Sequence, residues 1–191
     1  MKQYLQHSEV INWQHPSVLA QAKALRGSRV SELEIARRCF EFVRDHIQHS
    51  GDYKRDEMTC SASDVLQQGT GWCYAKSHLL AALLRANGIP AGLCYQRLTI
   101  EGDSGPHCLH GLNAVYLSEL GWYRADARGN NDNIHVDFLP PEEDLAFPIT
   151  HPGEADITGI WAEPMPVVVN VLNRCHGYQA VMANLPDIEL W

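Results

Sequence analysis

The first third of the chain carries apolar residues at helical spacing and predicts two helices. Proline at the first turn and Gly27 after the end predict one helix over Pro16 to Leu25. A second predicted helix opens on Ser31 and Glu34, the hydroxyl and the acid of a capping box, and runs to about His49. Its apolar stripe consists of Leu33, Cys39 or Phe40, Val43 and Ile47.

Two more helices are predicted before the middle of the chain. Ala62 to Gln68 forms a short one that ends at Gly69. The strongest helical pattern runs from Trp72 to Ala86 and is ended by Asn87-Gly88. Its apolar stripe consists of Leu79, Leu80, Leu83 and Leu84.

The pattern then changes to runs typical of strands, over Gly92 to Ile100, Leu109 to Leu117 and Gly121 to Ala127. Beyond Asn130 the chain is rich in proline and polar residues, with a strand or short helix near Val167 to Leu172. Helices followed by antiparallel strands indicate an α+β fold with helices on one side of a sheet. The length of 191 residues predicts a single domain spanning 1–191.

Composition narrows the classes of function. The net charge of −8 and the pI of about 5.6 argue against nucleic acid as a partner, because such proteins carry a basic surface. The sequence has no apolar run long enough for a membrane span and no signal-peptide pattern at its start, so we expect a soluble, cytoplasmic protein that does not bind membranes. Six irregularly spaced cysteines predict reduced thiols, and the lack of a C-x-x-C motif argues against a structural zinc site. We expect no metal and no cofactor.

Cys73 is the candidate nucleophile because it follows Gly69-Thr70-Gly71-Trp72 and opens the strongest predicted helix. Free N–H groups and the helix dipole at such a position favour a thiolate. A thiolate there can attack a carbonyl carbon, and its own N–H can bind the resulting oxyanion. A buried structural cysteine remains the alternative, and position alone leaves the two interpretations about even.

A nucleophilic cysteine needs a base and the base needs an acceptor, and His110 and Asp126 lie on the two strands of a predicted hairpin. A three-residue loop ending at Gly121 places Asp126 opposite Ala114, on the same face as His110. The two side chains are then four residues apart along the strand, about 13 Å. A catalytic triad therefore requires a turn centred near Ser118 or a bulge.

Four segments together form a recognisable pattern: Gly71 to Ala75, Leu83 to Ala91, His110 to Leu117, and Gly121 to Asp126. This pattern resembles the core of the transglutaminase-like superfamily, from about residue 62 to residue 130. The resemblance implies a transglutaminase-like, papain-like core of about 29–130, in which a cysteine-bearing helix packs on an antiparallel sheet, followed by an extension over 131–191. One departure is Leu112, where many members carry an aromatic residue.

The resemblance also implies roles for individual residues. Cys73 would be the nucleophile, His110 the general base and then acid, and Asp126 the residue that orients His110. The second oxyanion donor stays open between Gln67 and the Trp72 indole, each of which also has an ordinary structural interpretation.

His107 is a tentative rim residue of the site. Strand alternation puts it on the opposite face from His110, which argues against a shared metal ion.

The predicted function is thiol-dependent acyl transfer through a Cys-His-Asp triad and a thioester. The substrate is a peptide, a protein or a small amide, and hydrolysis is preferred. Two alternatives stay open, namely cross-linking to an amine and a non-enzymatic binding module that retains the groove. The oligomeric state cannot be predicted from the sequence.

Overall fold

The computed structural model describes residues 1–102 and 105–189, in which helices pack on an antiparallel sheet. This arrangement confirms the predicted α+β class. A 3₁₀ turn covers Lys2–Leu5, and the helices are α1 Pro16–Arg26, α2 Glu32–His46, α3 Ser50–Tyr53, α4 Ala62–Gln68, α5 Cys73–Ala86, α6 Pro166–Arg174 and α7 Tyr178–Met182. The strands are β1 Gln48–His49, β2 Thr70–Gly71, β3 Ala91–Thr99, β4 His107–Leu117, β5 Gly121–Ala125 and β6 Ala155–Trp161.

Helix α5 is the centre of the core. It lies between the helices α1, α2 and α4 on one side and the strands β3 and β4 on the other. Its residues from Cys73 to Arg85 are all buried, as expected for a helix that is apolar on nearly every face. The position of the first residue of α5 is therefore fixed by packing along the whole helix.

Four strands form the main sheet, in the order β5-β4-β3-β6. The hairpin of β4 and β5 closes with Leu117 opposite Gly121, so the loop consists of residues 118–120 and lies one residue earlier than predicted. Gly121 has a φ of +81°, which suits the glycine that follows such a loop and still pairs with its partner strand. The regular register, extended to Asp126, puts this residue across from Leu112 instead of Ala114.

The first turns of α2 and α4 differ in how they are capped. Ser31 Oγ accepts a hydrogen bond from the Glu34 N–H, as predicted, but the Glu34 carboxylate accepts from Arg38 Nε at 2.9 Å instead of returning to the cap. The reciprocal capping box is found at Ser61 and Asp64, at the start of α4.

Helix α2 ends at His46, three residues earlier than predicted. The residues after it form β1, which pairs in parallel with β2 and places His49 beside Gly71. Residues 50–53, directly after the predicted helix end at about His49, form the short helix α3. This connection brings the end of α2 next to the start of α5.

The C-terminal segment returns to the sheet. Strand β6, which the sequence did not predict, pairs with β3 and makes it an inner strand. The ambiguous segment near Val167 is the helix α6. Among the described residues, no helix has the length and apolarity needed to cross a membrane.

Candidate active site

Cys73 occupies the first position of α5, directly after the cap residue Trp72, and only 7% of it is exposed. Burial raises the pKa of the Cys73 thiol. The charge and the hydrogen bond of His110, together with His49, lower this pKa by more than burial raises it. The net effect is a thiol pKa below its ordinary value, so the thiolate is favoured.

His110 and Asp126 form a buried pair, with His110 Nε2 at 2.7 Å from Asp126 Oδ2. Burial lowers the pKa of His110, and the negative charges of Asp126 and Cys73 raise it above its ordinary value. Burial also raises the pKa of Asp126, but the charge of His110 lowers it below the ordinary range. Nε2 serves Asp126, which leaves Nδ1 as the ring nitrogen for the thiol.

The observed hairpin register explains how this pair forms. With Asp126 across from Leu112, His110 is offset by two residues, about 6.6 Å along the strand. The two side chains span that offset, and neither the turn centred on Ser118 nor a bulge is needed. Asp126 is further held by the N–H groups of Arg128 at 3.2 Å and Ala146 at 3.1 Å.

Gly111 allows β4 to lie directly against the start of α5. Its N–H is 3.5 Å from Cys73 Sγ, within hydrogen-bonding reach for sulfur. A β-carbon at this position would lie 2.9 Å from Tyr74 Cδ1 and 3.0 Å from Tyr74 Cα. The missing side chain therefore keeps His110 close to the thiol.

Beside these residues lies a cavity of about 420 Å³. Its wall combines apolar and aromatic side chains with a few polar groups, the composition of a ligand pocket. The lining residues are His49, Trp72, Cys73, Tyr74, Leu98, Thr99, Ile100, Cys108, Leu109, His110, Arg128, Phe147, Pro148, Thr150, His151, Glu154 and Leu185.

The three tentative site residues, Trp72, Gln67 and His107, differ in whether they line the cavity. Trp72 lines the cavity, and its buried Nε1 has no hydrogen-bond partner among the described residues. Gln67 is exposed on α4 and does not line the cavity. The face of this helix that carries Val65 packs into the core instead. His107 is also absent from the lining; its Nε2 lies 3.4 Å from the Pro152 carbonyl. Gln67 and His107 therefore lie outside the lining of the cavity, and a role for either residue at the site stays a prediction.

Several residues at the site were not singled out from the sequence. His49 lines the cavity, and Asp52 lies beside it with its carboxylate held by Arg128. Phe147 packs edge-on against His110, with ring centroids 5.0 Å apart. The position of His49 three residues before Asp52 was a usable signal in the sequence. It was missed because the chain there was predicted as the end of a helix. Phe147 lies in the extension, where the pattern carried no signal.

Solved structures share this fold. A proposed cysteine protease from Cytophaga hutchinsonii matches with a TM-score of 0.52 and 21% identity, over 65% of this chain and 40% of that one. The periplasmic domain of TgpA from Pseudomonas aeruginosa matches with a TM-score of 0.49 and 20% identity, over 65% of this chain and 45% of that one. The matched region is less than half of each neighbour.

Comparison with sequence families covers the residues of the candidate site. No curated protein sequence matches the chain significantly. The profile of the Transglutaminase-like superfamily matches residues 20–127, an interval that includes Cys73, His110 and Asp126. Since this interval is more than half of the chain, and the fold agrees, the protein belongs to the transglutaminase-like superfamily.

Proposed function

We propose that the protein is a thiol-dependent acyl-transfer enzyme that hydrolyses an amide or peptide bond. The observation that carries the proposal is the buried chain from Cys73 through His110 to Asp126, in which Cys73 and His110 line one cavity and Asp126 holds His110 from behind. A nucleophile, a base in contact with it and a carboxylate that orients the base are the parts that covalent acyl transfer requires. Family membership supports a thiol-dependent enzyme in broad terms.

In the first half-reaction, Cys73 Sγ bonds to the carbonyl carbon of the amide and the C=O electron pair moves to oxygen. When that oxyanion collapses, the C–N bond breaks and His110 gives its proton to the departing nitrogen. The products of this step are a free amine and a thioester on Cys73. Asp126 stays ionised and holds the imidazole in position while it carries charge.

In the second half-reaction, water attacks the thioester carbon and His110 takes the proton of that water. Collapse of the second oxyanion breaks the C–S bond and returns Cys73 as a thiolate, with a carboxylic acid as product. An amine in place of water would give a new amide by the same steps. The Cys73 N–H and the unpartnered Trp72 Nε1 are the donors we assign to the oxyanion.

The first test is the rate of Cys73 alkylation by iodoacetamide as a function of pH, in wild type and in His110→Ala. We expect a thiol pKa below the ordinary value of about 8.5 in wild type and a higher one in the variant. His46→Ala is the matched control, because His46 is an exposed histidine on α2. Equal, ordinary pKa values in all three proteins would refute the pairing and favour a binding module.

The second test separates hydrolysis from amine transfer. Short peptides and simple amides are incubated with the protein in the presence and absence of a primary amine, and the products are identified by mass spectrometry. We expect free carboxylic acid as the main product, and no turnover by Cys73→Ala. A product conjugated to the amine, formed in preference to the acid, would favour cross-linking.

A further inference from the structure

A second imidazole lies at the candidate nucleophile. His49 lines the same cavity as Cys73 and is 7% exposed, and its side chain lowers the pKa of the Cys73 thiol. It comes from β1 after helix α2, whereas His110 comes from β4 of the main sheet. Two histidines from different layers of the fold therefore converge on one sulfur.

His49 is held in place by strand pairing and by packing. It pairs with Gly71, two residues before Cys73, so the backbone that carries it is fixed to the backbone that leads into α5. Its ring packs edge-on against Trp72, with centroids 5.7 Å apart. The strand pairing and the contact with Trp72 keep His49 beside the start of α5.

A carboxylate fixes the orientation of the ring. His49 Nδ1 lies 3.4 Å from Asp52 Oδ1. Asp52 is itself held by the Arg128 guanidinium, through bonds of 2.8 and 2.7 Å, and by Asn131 Nδ2 at 2.9 Å. The contact between His49 Nδ1 and Asp52 is an ion-pair approach outside hydrogen-bond geometry, so Asp52 acts on the ring through its charge.

Arg128 connects this pair to the first one. Its guanidinium binds Asp52, and its backbone N–H binds Asp126. The carboxylates of Asp126 and Asp52 and the sulfur of Cys73 thus lie in one network with His110, His49 and Arg128. A buried thiolate needs this kind of compensation, since an unpaired charge in the interior is costly.

We propose that His49, oriented by Asp52, is a second catalytic histidine that donates a hydrogen bond to the Cys73 thiolate. The proposal rests on the thiol chemistry argued above and adds a residue to it. His110 must give up its proton to the leaving nitrogen and recover one from water, so its bond to sulfur changes during the cycle. His49 gives and takes no proton in these steps. It stabilises the Cys73 thiolate before the attack on the carbonyl carbon and again when the C–S bond of the thioester breaks.

The electrostatics agree with this assignment. The charge and the hydrogen bond of His49 lower the pKa of the Cys73 thiol in addition to the effect of His110. Burial raises the pKa of Asp52, but hydrogen bonds from Arg128 and Asn131, together with the nearby His49, outweigh it and hold the pKa of this carboxyl well below its ordinary range.

The test compares iodoacetamide alkylation of Cys73 against pH in His49→Phe and His49→Gln, with His46→Phe and His46→Gln as matched controls. Loss of the donor raises the thiol pKa, and a rise of one pKa unit slows alkylation about tenfold at a pH below both values. We expect this in His49→Phe, a smaller change in His49→Gln, and wild-type profiles in both controls. A folded His49→Phe protein with the wild-type profile overturns the proposal.

A measurement on the wild-type protein covers the case in which His49→Phe does not fold. Histidine ring nitrogens are labelled with ¹⁵N, and their NMR signals are recorded before and after Cys73 is methylthiolated. Loss of the thiolate should shift the His49 signals and leave those of His46 in place; unmoved His49 signals overturn the proposal. Alkylation and NMR need no acyl substrate. A failure of the enzymatic proposal is therefore distinguishable from a failure of the His49 proposal, because it appears in His110→Ala and in the product analysis.

Discussion

At the scale of single residues, the charge of Asp126 matters more than its size. Its carboxylate is fully buried and lies 2.7 Å from His110 Nε2, and it raises the pKa of that imidazole. A raised imidazole pKa in turn supports the thiolate of Cys73, because each charged partner favours the other. The reactivity of the sulfur therefore depends on a residue that does not touch it.

Asp126→Asn tests this dependence. The substitution keeps the shape and an acceptor oxygen but removes the charge, so we expect the pKa of His110 to fall and that of the Cys73 thiol to rise by about 1 to 3 units. At a pH below both thiol pKa values, alkylation should slow on the order of tenfold or more. Asp132→Asn, an exposed substitution in the following turn, is the control. An unchanged alkylation profile in Asp126→Asn would show that the pair does not set the reactivity.

Part of the site could be predicted residue by residue. Cys73 was recognisable because glycines precede it and a strong helix follows it. His110 and Asp126 were recognisable only as a spaced set, which the family pattern strengthened. Gln67 was proposed on its distance from Cys73 along the chain, and that distance says nothing about which face of α4 it occupies. His49 escaped notice because its contact with Cys73 depends on the pairing of two very short strands.

At the scale of elements, hydrophobic periodicity located the helices α1, α2, α4 and α5 and the strands β3, β4 and β5 to within three residues, because α5 and the strands around it bury their apolar faces. The predicted hairpin loop lies one residue later in the chain than the observed one, so the predicted register was wrong. The positive-φ Gly121 was assigned to the loop, yet it pairs with Leu117. A shift of this size is below what sequence pattern resolves, but it moves Asp126 by two residues relative to β4.

Lys76 joins two elements at the site. It is 1% exposed on α5, and its ammonium group donates to the Ile47 carbonyl and, at 3.4 Å, to the Arg44 carbonyl at the end of α2. A cation at a helix C-terminus is favourable, but burial opposes the charge and lowers the pKa of Lys76 to about 7. The segment that carries His49 follows directly after this contact.

Lys76→Met tests the titration of this lysine through stability. Between pH 7 and about 10 the unfolded chain binds the proton more tightly than the folded one, so the unfolding free energy of wild type should rise with pH. In Lys76→Met this rise should be smaller by up to about 1.4 kcal/mol per pH unit. Urea denaturation at several pH values measures both curves, with the exposed Lys23→Met as control. Parallel curves for wild type and Lys76→Met would contradict the expected shift.

At the scale of the whole molecule, the segment after residue 130 helps to build the site. Ala146 N–H binds Asp126, and Tyr178 stacks on Trp72 with an interplanar angle of 7°. Strand β6 covers the outer side of β3, and the Pro186 carbonyl accepts from the Leu109 N–H at 2.7 Å. These contacts join residues far apart in the chain, and β6 is only partly buried, so periodicity could not reveal them.

Ending the chain after Asn130 tests whether the family core is sufficient. The shortened protein loses one hydrogen bond to Asp126, the stacking partner of Trp72 and the strand beside β3. We expect a lower melting temperature, amide exchange in β3 that is faster by at least an order of magnitude, and slower alkylation of Cys73 at neutral pH. Hydrogen exchange read by mass spectrometry measures the second effect strand by strand, and β4, which keeps both neighbours, is the internal reference. If β3 and β4 keep the protection that they have in the full chain, the predicted core of about 29–130 folds independently and the extension only covers it.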